Sequence, residues 1–183
     1  FFKQKTAYEI YQCDWSSDVC SSDLVRVMPN TPAQIQAGVS GLYAMPKVSS
    51  VQRSQAETIM NAVGQSIWLD NEAQIDAVTA ISGSGPAYVF YFIEALQQAA
   101  LELGLNEAQA KTLSLQTFTG ASKLAEQSTE NPATLRGQVT SKGGTTEQAI
   151  LSMESAAVKA AIINAAKAAA QRSKELGDLL GKD

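Results

Sequence analysis

The stretch "PAYVFYFIEALQQAALELG", Pro86 to Gly104, decides the fold class, because it predicts one long helix. Pro86 stands where a first helical turn accepts proline, and Gly104 is a typical residue for ending a helix. Every residue from Ala87 to Ile93 is apolar. A helix that is apolar on all sides is buried on all sides. In a chain this small, we expect part of that burial to come from another subunit.

More helical segments follow. "NEAQAKTLSLQTFTGASKLAEQ" begins with Asn106 as a cap and has Gln109 three residues later, which is close to capping-box spacing. "NPATLRGQV" predicts a short helix, and the run from Thr145 to about Leu180 predicts two helices. The apolar face of the first of these segments is predicted to comprise Ala110, Leu113, Thr117, Ala121 and Leu124.

Upstream of Asn71 the pattern changes to strand, helix, strand. Residues 25–28 and 38–45 predict strands that flank the turn "PNTP". A helix is predicted from an N-cap at Ser50 to a stop at Gly64, and a further strand follows over residues 66–70. This order is the tail of an α/β unit. The sequence therefore predicts a mainly α chain, with an α/β remnant at 25–70 and an all-helical domain at 71–183.

Residues 1–24 differ from the rest of the chain. They contain both cysteines, Cys13 and Cys20, and show neither strand nor helix periodicity for long. They resemble the translated sequencing-adapter sequence found fused to gene fragments. We interpret 1–24 as an artefactual, disordered leader, and expect the natural protein to have begun upstream of Val25.

Composition excludes several functions. The formal net charge is −4 and no basic stripe is visible, so we expect no nucleic-acid binding. No run of 18 apolar residues occurs, so we expect no membrane span. The chain has no histidine, which excludes a Ser–His–Asp triad and removes the commonest metal ligand. We expect no metal site. Residues 25–183 contain no cysteine, which favours the cytoplasm.

Two segments combine glycine with hydroxyl side chains. Loop one is "TAISGSGPAY", Thr79 to Tyr88, and loop two is "QVTSKGGTTEQAI", Gln138 to Ile150. In loop two, Thr145 and Gln148 have capping-box spacing, which predicts a helix start near residues 144–145. Each loop can be a simple helix cap or an anion site at a helix start. Neither fits a phosphate motif: in loop two Lys142 comes before the glycines rather than after them, and in loop one Tyr88 stands where the third glycine of G-x-G-x-x-G belongs. A small carboxylate fits better.

Three blocks, "VRVMPNTPAQIQAG", "DAVTAISGSGPAYVF" and "LRGQVTSKGGTTEQAI", closely resemble the pyrroline-5-carboxylate reductases. The resemblance runs from Val25 to about Leu180. It implies a Rossmann domain that binds NADPH or NADH, followed by a dimerisation domain like the C-terminal domain of 6-phosphogluconate dehydrogenase. It also implies reduction of L-1-pyrroline-5-carboxylate to L-proline, the last step of proline biosynthesis. The resemblance implies a homodimer as well and, as often in that family, larger rings built from dimers.

The resemblance also implies roles for individual residues. Thr79 matches the threonine whose hydroxyl faces the ring nitrogen of the substrate, and is the catalytic candidate. The remaining substrate-binding candidates are Ser141, Gly144, Thr145, Thr146, Ser82, Ser84 and Glu72. The cofactor-binding candidates are Asn30, Thr31, Pro32, Gln138 and Val139.

One departure from the family pattern is large. The sequence has no G-x-G-x-x-G turn after a strand, so we expect the 183-residue chain to be inactive alone. Two alternatives stay open. The first is another Rossmann-type reductase of the β-hydroxyacid dehydrogenase kind, for which Lys159 and Asn164 are the available pair, five residues apart. The second is a non-catalytic helical dimerisation module that binds a small carboxylate.

Overall fold

The computed structural model describes residues 8–10 and 24–180 of the chain. It divides into two compact units. The first comprises the residues up to Pro86 together with those from Ala165 onward, and the second is Ala87–Asn164. The first unit contains the strands and the second is helical, which confirms the predicted mainly α fold with an α/β remnant. Residues 71–86 and the end of the last helix belong to the first unit.

The first unit is built on a small mixed sheet. Its strand order is β1-β2-β3-β4, in which β2 is antiparallel to β1 and β3, and β4 is parallel to β3. In the register, Leu42 lies opposite both Val27 and Trp68. The strands are β1 (Tyr8–Ile10), β2 (Val25–Met28), β3 (Gly38–Ala44) and β4 (Gly64–Trp68).

Strand β1 lies in the leader that the sequence led us to set aside as disordered. Tyr8–Ile10 pairs with the edge of β2, with Ile10 opposite Val25. This short segment is therefore a strand. The rest of the predicted leader, except Leu24, lies outside the described residues.

Helix α1 (Ser50–Asn61) connects the parallel strands β3 and β4, as predicted. The predicted N-cap at Ser50 is wrong. Ser49 is the cap, because Gln52 lies three residues after it and the two side chains form a capping box. Gly64 does not end the helix but begins β4 with a φ of 152°, where an added Cβ would collide with the carbonyl of Gly38.

The core of the first unit lies between the sheet and α1. Val27 and Leu42 are fully buried, since they occupy the inner face of adjacent strands. Met45, Met60 and Trp68 pack against this cluster. The buried cluster comprises Val25, Val27, Leu42, Ala44, Val48 and Ala56.

The remaining described residues are mainly helical. Asn106 and Gln109 form the predicted capping box at the start of α4, and the last run forms two helices, as predicted. No single described helix is long and apolar enough to cross a membrane; α6 and α7 pass that test only as a pair bent by 51°. The helices are α2 (Gln74–Val78), α3 (Gly85–Glu102), α4 (Glu107–Gln127), α5 (Pro132–Gln138), α6 (Thr145–Ser155) and α7 (Val158–Leu180).

The second unit has almost no core of its own. Ala110 and Ser114 are its buried residues among those described, whereas Leu113 and Leu124 of the predicted apolar face are more than half exposed. Phe90 and Tyr91, in the apolar run 87–93, are also mostly exposed. One copy of the chain therefore leaves the apolar surface of α3 and α4 uncovered.

Candidate functional site

Loop one continues α2 as a helix. Thr79–Gly83 forms a π-helical turn, in which the Ser84 N–H donates to the Thr79 carbonyl at 2.8 Å. The loop predicted from the sequence is therefore wrong at these residues. π turns are rare and frequently lie at functional sites. Helix α3 then begins at Gly85, and Pro86 is its second residue.

The hydroxyls of the catalytic candidate Thr79 and of the substrate-binding candidate Ser82 share one hydrogen-bond pattern in this π turn. Thr79 Oγ1 donates to the Ile75 carbonyl at 2.8 Å, and Ser82 Oγ donates to the Val78 carbonyl at 3.0 Å. A hydroxyl has a single proton to donate and two lone pairs that can accept. Because both protons are used by the backbone, each oxygen offers a ligand only acceptor positions. Both residues are half-buried.

Close packing holds the π turn against the sheet. Ile75 and Ala80 are 3% and 2% exposed. A Cβ added to Gly41 of β3 would lie 2.9 Å from both methyl carbons of Val78, so glycine is needed there for the helix to approach the strand. The side chains of Ile75, Val78 and Ala80 thus hold the sheet-facing side of the turn that carries Thr79.

Asn30 connects the end of β2 to the start of β3. Its Oδ1 accepts a hydrogen bond from the Val39 N–H at 2.9 Å. Thr31 is exposed and Pro32 is half-buried in the short 3-10 helix Thr31–Ile35 that follows. The observed bond gives Asn30 a structural role, and cofactor binding by these three residues stays a prediction.

Glu72 already has a partner. Its Oε1 lies 2.9 Å from the Nη1 atom of Arg26 on β2, in an ion pair at the surface. The pair links the residues just before α2 to the sheet. One oxygen of this carboxylate is thus paired with a cation, and the predicted substrate contact by Glu72 stays a prediction.

Loop two ends in an uncapped helix start. Helix α6 begins at Thr145 with Gly144 as N-cap, where the helix start was predicted. The predicted capping box of Thr145 and Gln148 is wrong, since the cap residue is a glycine and makes no side-chain hydrogen bond. The first-turn N–H groups of α6 therefore point out of the helix without a side-chain acceptor, as an anion site requires.

The same loop holds a carboxylate of the protein itself. The Gly143 N–H donates to Glu147 Oε2 at 2.7 Å, and Gly143 has a φ of 75°, which favours glycine. The Gly144 N–H donates to the Ser141 carbonyl at 3.0 Å, closing a tight turn. Glu147 thus fixes the glycine pair from the first turn of α6. Its position as an acid three residues into the helix was the sequence signal for this contact.

The side chains around loop two differ in exposure. Ser141, Lys142 and Thr145 are exposed, whereas Thr146 is half-buried. The predicted cofactor residues Gln138 and Val139 are both exposed as well. The Nη1 atom of Arg136 lies 3.8 Å from Glu154 Oε1. The predicted site residues fall into two groups: Thr79, Ser82, Ser84, Glu72, Asn30, Thr31 and Pro32 in the first unit, and Ser141, Gly144, Thr145, Thr146, Gln138 and Val139 in the second.

The residues considered for β-hydroxyacid dehydrogenase chemistry do not share a helix face. Lys159 and Asn164 are both exposed on α7. Five residues correspond to a rotation of about 500°, so the two side chains point roughly 140° apart. The geometry gives this alternative no support.

Sequence reasoning missed one long-range contact. Ser173 Oγ of α7 donates to Asp76 Oδ1 of α2 at 2.7 Å, within the first unit and partly buried. Asp76 follows Glu72 by four residues, a spacing that would place both carboxylates on one face of a helix. The two carboxylates instead have different partners, Ser173 and Arg26. No local pattern could link residues 97 positions apart.

Comparison with known proteins identifies relatives of this chain. The model of the pyrroline-5-carboxylate reductase dimerisation family matches residues 72–176. The pyrroline-5-carboxylate reductase of Pseudomonas aeruginosa is 51% identical over 159 residues, which cover 87% of this chain and 58% of that protein. The Haemophilus influenzae enzyme is 42% identical over 160 residues, covering 85% and 58%.

Solved structures give the same result. A pyrroline-5-carboxylate reductase from Coxiella burnetii superposes with a TM-score of 0.80 at 49% identity, covering 83% of this chain and 56% of that one. The Plasmodium falciparum enzyme, solved with NADP bound, gives a TM-score of 0.79 at 35% identity, covering 84% and 62%. The chain thus spans less than two thirds of the length of these relatives.

Proposed function

The chain belongs to the pyrroline-5-carboxylate reductase family, and from this premise we propose that it carries the substrate-binding and dimerisation part of an enzyme that reduces L-1-pyrroline-5-carboxylate to L-proline. The proposed hydride donor is NADPH or NADH. The relative with NADP bound supports a nicotinamide cofactor. The reaction is the last step of proline biosynthesis, and the cytoplasm stays the predicted location.

The observation that carries the proposal is the direction of the hydrogen bonds in the π turn. Thr79 and Ser82 donate their protons to backbone carbonyls and can only accept from a ligand. The pyrroline imine is basic enough to be protonated near neutrality, and its iminium N–H is then a donor without a free lone pair. A hydroxyl that only accepts is the matching partner for that group.

This chemistry suits a chain without histidine. When bound, the nicotinamide supplies a hydride. As the hydride adds to the iminium carbon, the electron pair of the C=N bond moves to nitrogen, and the secondary amine forms without a further proton. Because no general acid is required, the protein acts mainly by orienting the substrate against the nicotinamide. In well-oriented cases such positioning lowers the barrier by about 7–11 kcal/mol. Thr79 is the group that we propose to orient the ring nitrogen.

We further propose that loop two binds the substrate carboxylate. The first-turn N–H groups of α6 have no side-chain cap, and a helix N-terminus attracts anions through these groups and its dipole. The hydroxyls of Thr145 and Thr146 add donors at the same turn. Ser141 and Gly144 shape the turn through the bond from Gly144 N–H to the Ser141 carbonyl.

The uncovered apolar surface of the second unit supports a homodimer as the working form. Exposed large apolar residues are concentrated on its helices, and a contiguous apolar surface on a single copy marks an interface. The matched family is itself described by dimerisation. We propose that a second copy covers this surface and that dimers associate into rings. The most exposed members include Phe90, Tyr91, Leu103, Leu113, Leu124 and Val139.

A chimera tests the enzymatic proposal. Residues 25–183 are joined to the part of the Pseudomonas aeruginosa relative that lies outside the aligned stretch. We expect the chimera to oxidise NADPH on addition of pyrroline-5-carboxylate and to form proline. We expect Thr79→Val, which keeps the side-chain shape but removes the hydroxyl, to lower kcat/KM at least about a hundredfold, the scale of a misplaced reacting group.

Two controls separate the parts of the proposal. The full-length relative must be active in the same assay; an inactive chimera beside it would refute the assigned reaction. The 183-residue chain is assayed alone, and substrate-dependent NADPH oxidation by it would refute the proposed need for a cofactor domain. In calorimetry, binding of L-proline but not NADPH by the inactive chain would favour a carboxylate-binding dimerisation module.

A further inference from the structure

Among the described residues, one side-chain hydrogen bond joins α2, the helix that leads into the π turn, to the last helix. Ser173 Oγ on α7 donates to Asp76 Oδ1 on α2 at 2.7 Å, and the pair is partly buried. The other side-chain hydrogen bonds described on α7, from Gln171 and Arg172 to Glu175, stay within that helix. A hydrogen bond from a hydroxyl to a carboxylate is short and stronger than a bond between neutral groups. The Asp76–Ser173 contact is therefore a fixed link between elements distant in sequence.

Asp76 is connected directly to Thr79. The Thr79 N–H donates to the carbonyls of Asp76 and Ile75, and Thr79 Oγ1 donates to the Ile75 carbonyl. The stretch from α2 to the π turn is thus hydrogen-bonded helix without a break. A displacement of Asp76 is transmitted through the backbone to the Thr79 hydroxyl.

This turn needs support from outside. Helix α2 has five residues, well below the length at which an isolated helix is stable. The packing of Val78 on Gly41 holds its sheet side. Ser173 holds it through Asp76, one helical turn before Thr79.

We propose that Asp76 and Ser173 are positioning residues for the reaction: their hydrogen bond holds the Thr79 hydroxyl where it accepts from the ring nitrogen. This inference rests on the proposed function. In this role neither side chain contacts the substrate. A short carboxylate side chain and a hydroxyl have few rotamers, so their hydrogen bond fixes both the direction and the length of the contact. An ion pair between long, flexible side chains would leave the position of the turn less well defined.

The test uses the full-length chimera with an isosteric pair at Ser173. Thr and Val have the same shape, so Ser173→Thr and Ser173→Val impose the same packing and differ only in the hydroxyl. We expect Ser173→Val to lower kcat/KM for pyrroline-5-carboxylate at least about tenfold, since small misplacements of reacting groups are costly. Ser173→Thr should retain activity within threefold of the parent chimera. The KM for NADPH should change less than twofold in both.

Asp76 gives a second, independent pair. Asp76→Asn keeps an acceptor for the Ser173 hydroxyl, whereas Asp76→Ala removes it, so we expect activity to be retained in the first and lost in the second. Asp178→Ala, which removes an exposed acid on α7, the helix of Ser173, is the matched control and should leave kcat/KM unchanged. If Ser173→Val unfolds below the assay temperature, the comparison of Asp76→Asn with Asp76→Ala tests the positioning role instead.

Several outcomes separate the inference from the enzymatic proposal. An inactive parent chimera sinks the proposed function. If the parent chimera is active, either of two results overturns the positioning role. The first is a kcat/KM of Ser173→Val within twofold of the parent value. The second is a kcat/KM of Ser173→Thr as low as that of Ser173→Val. An equal rise in the KM for NADPH also overturns it, because a general structural defect would have that effect.

Discussion

Phe90 offers the most direct test of the dimer. This side chain lies on α3 and is 64% exposed in a single copy. Aromatic side chains bury roughly 150–250 Å² when covered, so the exposed part of Phe90 amounts to about 130 Å². At about 25 cal/mol per Å², covering it contributes about 3 kcal/mol per copy. A two-fold interface contains both copies, so truncation costs the dimer up to about 6 kcal/mol.

The assay is sedimentation velocity on a dilution series of the 183-residue chain. The loss expected for Phe90→Ala raises the dimer dissociation constant by about four orders of magnitude, since each 1.4 kcal/mol is tenfold. A dimer that persists at nanomolar concentration in the parent should then dissociate in the micromolar range. Helical circular dichroism measured at the same concentrations reports whether folding follows association.

Val51→Ala is the matched control. Val51 is 65% exposed, but it lies on α1 in the first unit and outside the stretch matched to the dimerisation family. Its truncation should leave the dissociation constant unchanged. The reasoning fails if Phe90→Ala dissociates at the same concentration as the parent, or if Val51→Ala weakens the dimer as much. A parent chain that is monomeric at about 100 µM, a concentration at which a dissociation constant of 1 µM gives mostly dimer, would refute the dimer itself.

Further predictions concern the loops and one surface pair. In the active chimera, Thr146→Val should raise the KM for pyrroline-5-carboxylate severalfold while leaving that for NADPH unchanged; equal changes in steady-state kinetics would contradict the assignment. Gly144→Ala should weaken L-proline binding in calorimetry, because the new Cβ would lie 2.5 Å from Ser141 Oγ, and unchanged affinity would show that the turn adapts. Hydrogen bonding by Arg172 lowers the pKa of the exposed Glu175 carboxyl, so Arg172→Ala should move that pKa up toward its ordinary value in an NMR titration, and a constant pKa would exclude the contact in solution.

Local chemistry made much of the fold predictable. The capping box of Asn106 and Gln109 placed the start of α4, because both partners lie within four residues. The capping-box rule also identifies the N-cap of α1, because it requires glutamate or glutamine three residues after the cap. Of two adjacent serines, Ser49 has glutamine three residues later, whereas Ser50 has arginine.

The features that define the candidate site were harder to predict from the sequence. A π turn at Thr79 depends on packing against the sheet, and the sequence "TAISGSG" reads equally well as a loop. The direction of the Thr79 hydrogen bond follows from that helical geometry, so it could not be predicted either. The contact of Asp76 with Ser173 requires knowing which helix returns to the sheet unit.

The two units differ in how much apolar core they contain, and this difference connects substrate binding with dimerisation. The first unit has its own apolar core, and Val78, just before the π turn, packs on Gly41 of the sheet in that unit. The second unit, which carries loop two, buries only Ala110 and Ser114 among the described residues. A unit without a core gains its stability from its partner, and for such a protein folding and dimerisation are inseparable. Loop two should therefore bind a carboxylate only in the dimer, so dilution below the dimer dissociation constant should abolish L-proline binding together with helicity. Retention of binding by a dissociated chain would show that loop two is organised by its own turn, through Glu147 and Gly143, rather than by the partner.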